Sequence, residues 1–335
     1  MNNKYQELQK LLIKEAGIEK LEDLSPEVLE RKKQELTIMN DTLAKKIFYN
    51  DNNKHLLAGI ANAIRKIYNL PDVSEISKVT VQKISITKEF FEKDMISDVV
   101  GTAEKNKGDH INIAMEIQNR KQDGYSSRSV LSSSNATRDD FLTGENYTNA
   151  PDVMSINVLG FNLPELSYKN SFCTRIVRAD YDTGEHFLAD KYSDFFLELR
   201  KTPVTIDKLP GKYHDLWEIC KAINCKAKDY DKVVSELSNA TAVGFIDASK
   251  EVLSNKQSVK DILDVENIRE LLNKKEEMGI EKGIEKGKEE MFRMAIKCNA
   301  SNEVLQTMAR ESGISPQRAN ELIKEINPEK SITSF

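Results

Sequence analysis

The stretch from His110 to Gln118, His-Ile-Asn-Ile-Ala-Met-Glu-Ile-Gln, alternates between large apolar residues and small or polar ones. Side chains on a strand point to its two faces in turn. Ile111, Ile113, Met115 and Ile117 therefore share one face, and Asn112, Ala114, Glu116 and Gln118 share the other. A second strand-like run, Ile96-Ser97-Asp98-Val99-Val100-Gly101, precedes it. The charged linker Glu104-Lys105-Asn106-Lys107-Gly108-Asp109 between them reads as a hairpin turn. Asp98 lies on the face of Ile96 and Val100, and the hairpin is expected to carry it beside Glu116. With Gln118 as neighbour, these side chains form a cluster of the kind that can hold a divalent metal.

The flanking sequence predicts helices before the hairpin and a mixed arrangement after it. Tyr5, Leu8, Leu11 and Leu12 have helical spacing, with Gly17 as a stop. Ser25-Pro26 starts a second helix, expected to reach about Met39. Asn40-Asp41 caps a third, and a fourth runs from Asn53 toward Pro71. A first strand is expected over Val79–Ile86, and a helical stretch over about Tyr125–Leu142. Pro151–Phe161 then reads as a buried strand parallel to the Glu116 strand, because a helical crossover joins the two. Further strands are expected over Phe172–Tyr181 and Phe195–Leu199, and mostly helix from about Tyr213 to Leu272.

The segment Met278-Gly279-Ile280-Glu281-Lys282-Gly283-Ile284-Glu285-Lys286-Gly287-Lys288 repeats glycine every fourth residue. On a helix this makes one bare stripe that admits a close partner helix. Each glycine costs about 1 kcal/mol of helix propensity, so a flexible charged linker is the alternative. The tail gives two short helices around Gly313-Ile314-Ser315-Pro316, with the spacing of a helix-turn-helix or of a plain helical hairpin.

The chain of 335 residues exceeds the usual size of one domain. No run is apolar enough to span a membrane, and the N-terminus lacks the apolar stretch of a signal peptide. Four scattered cysteines form no CxxC pair, which argues against zinc and for reduced thiols in a cytoplasmic protein. The net charge is −5, and residues 80–200 hold 14 Lys and Arg against 19 Asp and Glu. A protein that neutralises many phosphates usually carries a basic excess. Nucleic-acid binding would therefore need a local basic patch or metal ions at the site.

Taken in order, these segments resemble the recombination-promoting nuclease and transposase family of PD-(D/E)XK nuclease-like proteins. Asn40-Asp41 with Lys46-Ile47-Phe48 looks like the family's opening helix, and Met115-Glu116-Ile117-Gln118 like its Glu-x-Gln strand. Arg128 followed by Gly144-Glu145-Asn146-Tyr147 looks like its Arg-to-Gly-x-x-Tyr helix. Ser155–Phe161 and Phe196-Leu197-Glu198-Leu199 look like its later strands. The chain departs from the family in Val130, Leu131 and the serines after Arg128, where aromatics are usual. It departs again at Gly160, where aspartate is frequent.

The resemblance implies an α/β fold: a restriction-endonuclease-like core, a small mixed β-sheet flanked by helices, with N-terminal and C-terminal helical extensions. The expected divisions are an extension over 1–39, the core over 40–205, a helical region over 206–275, and a glycine-repeat helix with helical tail over 276–335. It further implies metal-dependent DNA endonuclease activity linked to recombination or mobility. Asp98, Glu116 and the Ile117 carbonyl would hold Mg²⁺ or Mn²⁺. Gln118 would stand in the usual lysine position and orient water, and Asp41 would join the catalytic set. Arg120, Arg128 and Tyr147 would meet the DNA substrate, although Arg128 has an internal pair with Glu145 or Asp140 as its alternative. The competing reading is an inactive oligomeric binding protein that keeps the nuclease fold, with a homo-oligomer contact through the 279–288 helix.

Overall fold

A computed structural model of the chain describes residues 25–81, 99–104, 110–121, 124–138, 151–187, 191–297 and 300–327. The expected helix near residues 3–16 and position Cys298 lie outside them. The described chain forms two compact units, one ending at Val265 and one beginning at Glu266.

Helix α1 (Pro26–Gln34) starts where Ser25 Oγ accepts the Val28 N–H, with proline at the first helical position. It stops at Gln34, short of Met39. Leu36, Ile38 and Met39 instead enter the core from a turn, which brings Asn40 into the extended conformation of a cap. The Asn40 side chain accepts the Leu43 N–H at 3.0 Å and opens α2 (Asp41–Phe48). Helix α3 (Lys54–Ile67) buries Leu56, Leu57, Ile60 and Ile64 along one stripe.

Strand β1 (Ile76–Val81) begins earlier than its apolar pattern implied, and residues 82–98 fall outside the description. Strands β2 (Val99–Glu104) and β3 (His110–Gln118) form the expected antiparallel hairpin, with register from Val99↔Met115 to Glu104↔His110. Glu104 belongs to the strand, not to the turn. Helix α4 (Tyr125–Arg138) crosses to β4 (Asp152–Leu159), which runs parallel to β3 as its crossover demanded.

Strand β5 (Cys173–Val177) is shorter than expected. Beyond Val177 the chain turns, and Asp180 Oδ1 accepts the Asp182 and Thr183 N–H groups. Strand β6 (Tyr192–Glu198) pairs parallel to β4 and antiparallel to β5, giving one mixed sheet in the order β1-β2-β3-β4-β6-β5.

One face of this sheet makes the main core. Ile111, Ile113, Met115 and Ile117 join Ile156, Phe195 and the apolar stripes of α2 and α3. Helices α5 (His214–Asn224) and α6 (Ala240–Ser254) add Ile219, Cys220 and Phe245 to the same cluster. Close approach is built in by glycine. A Cβ on Gly101 would meet the Leu57 side chain at 2.6 Å, and one on Gly244 would meet Leu56 at 2.7 Å. The buried Glu218 carboxylate accepts the Ser238 and Asn239 N–H groups at the start of α6, an anion where the helix dipole favours one. The Cys173, Cys220 and Cys225 thiols are free, and burial pushes Cys173 up to about 12 and Cys225 to about 11.

Helix α7 (Lys256–Lys297) is continuous through the glycine repeat, so that segment is helix, not a flexible linker. In the second unit Phe292 and Ile296 pack with α8 (Asn302–Ser312) and α9 (Pro316–Ile326). Gly313, in the left-handed region, ends α8, and Ser315 caps α9, the stop and restart expected there. Arg318 holds Glu289 through two bonds of 2.7 and 2.9 Å. No described helix is long and apolar enough to cross a membrane.

Candidate active site

The second face of the sheet carries a different set of side chains. Strand alternation puts Asn112, Ala114, Glu116 and Gln118 there from β3, and the register sets Ser155 beside Ala114 and Asn157 beside Glu116. From β6 it adds Asp194 beside Ser155. Apolar contact on this face is small near β3, where Ala114 packs on Val153. Helix α4 covers it through polar groups. Tyr125 Oη donates to Asn157 Oδ1 at 2.9 Å, and Asn157 Nδ2 donates to Ser155 Oγ at 3.2 Å. Burial raises the pKa of Asp194, and hydrogen bonds from Ser155 and Ser133 oppose that rise.

Glu116 lies at the centre of this arrangement, only 4 % exposed, with Arg128 Nη2 of α4 at 2.8 Å from its Oε1. Removing one partner from such a pair leaves a buried charge uncompensated, which is far costlier than losing a surface pair. Arg128 is 37 % exposed, so its guanidinium also reaches solvent. Its described carboxylate partner is thus Glu116; Glu145 and Asp140 lie outside the described residues. Gln118 Nε2 donates to the Arg120 carbonyl at 2.9 Å, and the Gln118 carbonyl accepts the Gly160 N–H at 2.9 Å. Arg120 itself stands exposed in the segment that leaves β3.

Ile117 turns its side chain into the main core, as the alternation required. Asp41 occupies the first turn of α2, and its carboxylate pairs at 3.0 Å with Lys45, which is 3 % exposed. Asp98 and Tyr147 lie outside the described residues. The described register ends at Val99↔Met115, one residue short of both Asp98 and Glu116. Among the described residues no three Asp, Glu, His or Cys side chains gather in metal-holding proximity.

Several participants escaped the pattern reading. Ser155 and Asn157 alternate with Met154, Ile156 and Val158, and that parity marked a second polar face in a strand read only as buried. Glu198, fully buried, accepts the Leu163 N–H at 2.7 Å and pairs with Lys201 at 2.6 Å. It ties the exit of β4 to the end of β6. Gly160 lies against Asn119, whose backbone oxygen would stand 2.9 Å from a Cβ, so an aspartate does not fit there without movement.

All of these elements fall inside one stretch that is comparable with known proteins. The profile of the PD-(D/E)XK nuclease family transposases matches residues 38–217, just over half the chain. The chain belongs to this family. Its mixed sheet with helices on both faces is accordingly the α/β restriction-endonuclease-like core of PD-(D/E)XK proteins. The matched stretch opens two residues before the Asn40 cap and closes within α5, so it takes in the whole sheet, Glu116 and Arg128. No curated protein and no solved structure matches the chain.

Proposed function

We propose that the chain is a metal-dependent DNA endonuclease of the PD-(D/E)XK transposase type, acting in DNA recombination or mobility. The observation that carries the reading is the buried Glu116 carboxylate on the polar face of β3, held against a guanidinium in the family-matched core. A buried carboxylate beside a cation is a position where positive charge is already favoured. Its hard oxygen donors suit Mg²⁺ or Mn²⁺.

Glu116, the Ile117 carbonyl and Asp98 would hold the ion, with Asp41 in the same catalytic set. When bound, the ion would supply Lewis-acid stabilisation of phosphate charge and a water of lowered pKa. Arg128 would release Glu116 and turn its exposed end toward a phosphate oxygen. Gln118 would orient water by hydrogen bonding once its amide leaves the Arg120 carbonyl. Arg120 and Tyr147 would contact the DNA.

Plasmid nicking in Mg²⁺ and then Mn²⁺ tests this directly. Nicking by the wild type that needs metal and vanishes in Glu116→Ala is the expected result; equal nicking by both proteins would discard it.

One observation favours a second reading, a non-catalytic oligomeric binding protein that keeps the fold. Gln118 contributes no charge where the wider fold uses lysine, and its amide is already engaged by Arg120. That reading expects an assembly through the 279–288 helix, lost when Gly279, Gly283 and Gly287 are replaced by leucine. Size-exclusion chromatography with light scattering separates the two.

A further inference from the structure

We infer that the end of the sheet where β3, β4 and β6 finish is the surface that grips the phosphodiester backbone of a nucleic acid. The inference rests on the nuclease reading and specifies where its substrate lies. Gln118, Leu159 and Glu198 end the three parallel strands side by side. In open α/β sheets ligands bind outside the carboxyl ends of such strands.

The three segments leaving these strands, residues 119–121, 160–170 and 199–205, are joined to one another. The Gly160 N–H bonds the Gln118 carbonyl, the Leu163 N–H bonds Glu198, and Lys201 Nζ bonds the Leu166 carbonyl at 2.9 Å. Ser126 donates to Glu165 at 2.7 Å and holds its carboxyl below the usual range, with Lys121 acting in the same direction from nearby.

This joined rim carries Arg120, Lys121, Lys169, Arg200 and Lys201 against the single acid Glu165. Arg120, Lys121, Lys169 and Arg200 are all exposed, while Lys201 is committed to buried Glu198. The opposite end of the sheet has the reverse balance. Among the described residues there, Glu75, Glu104, Asp152, Asp180, Asp182 and Glu185 outnumber Arg178 and Lys191. Within a chain of net charge −5, the described residues thus concentrate positive charge on the end nearest Glu116 and Gln118. Focused charge of this kind attracts a polyanion although the whole molecule is acidic.

The test is fluorescence anisotropy of short labelled duplex DNA, single-stranded DNA and RNA, titrated with the full chain in EDTA over a series of salt concentrations. Four phosphate contacts predict a log K against log salt slope of about −3 to −4 for duplex DNA, and a shallower one for single strands. The triple variant Lys121→Ala/Lys169→Ala/Arg200→Ala is expected to flatten that slope to about −1 and to weaken low-salt binding at least about tenfold. Exchanging the same residues between lysine and arginine should keep the slope, as should Arg178→Ala/Lys191→Ala at the other end. The ligand bound most steeply identifies which backbone the rim takes. Binding by the wild type with an unchanged slope in the triple variant would overturn the rim and leave the nuclease reading standing. No binding of any of the three ligands by the wild type would overturn the rim, and plasmid nicking in Mg²⁺ or Mn²⁺ would then decide the nuclease reading separately.

Discussion

The two faces of the sheet are built from the same strands and do opposite work. One face sets Ile111, Ile113, Met115 and Ile117 against the stripes of α2 and α3, and every side chain there is satisfied by burial alone. The other sets Glu116, Ser155, Asn157 and Asp194 under a serine-bearing helix, and each needs a specific partner at a specific distance. Apolar burial tolerates exchange among residues of similar volume. A polar network loses the desolvation cost of whatever is left unpaired. The first face therefore stabilises the fold, and the second keeps charged groups poised beneath it.

Substitutions that treat the faces alike should have unlike consequences. The largest is expected from Arg128→Ala, which leaves Glu116 buried without its counter-charge and should cost about 3–5 kcal/mol in urea denaturation. Glu116→Ala should cost clearly less, because half-exposed Arg128 can regain water; equal losses would break the asymmetry. Ile113→Ala on the apolar face should cost about 2–5 kcal/mol by cavity formation and, on the proposed metal-dependent reading, leave metal binding unchanged in calorimetry. Tyr125→Phe should cost about 1–2 kcal/mol, since it strands Asn157 Oδ1 beneath α4.

The smallest effect concerns pH. Burial raises the Asp194 pKa above its unfolded value of 3.8, so its protonated form favours the fold. The stability this contributes is fully present below the unfolded pKa and lost as pH rises through the folded one. Asp194→Asn should consequently be more stable than the wild type at neutral pH, and the advantage should shrink as pH falls toward the ordinary aspartate range. Thermal melts across pH check this.

The hairpin and the parallel β3–β4 pair were legible because alternation sets strand faces and a helical crossover sets direction. The caps at Ser25, Asn40 and Ser315 were legible because each is a local bond of a side chain to the N–H three residues on. The Arg128–Glu116 pair was not, since eleven residues separate the two and no periodicity reports which carboxylate a helix arginine will meet. The role of Glu198 was hidden for a like reason: its partner N–H belongs to Leu163, on a loop 35 residues away. The early end of α1 was missed because tertiary burial of Ile38 and Met39 outweighed local helix preference.

The guanidinium lodged against Glu116 has a consequence for how such a chain is made. Many small metalloproteins cannot fold until their ion arrives, because a bare ligand set is a knot of repelling or desolvated charge. Here a guanidinium of the chain itself meets the buried carboxylate, so a newly synthesised copy can reach its native shape without any metal. On the metal-dependent reading proposed above, the ion would be taken in by exchange. If the chain is the metal-dependent enzyme proposed above, chelation should leave it folded but inactive, and restored metal should return activity without a refolding step.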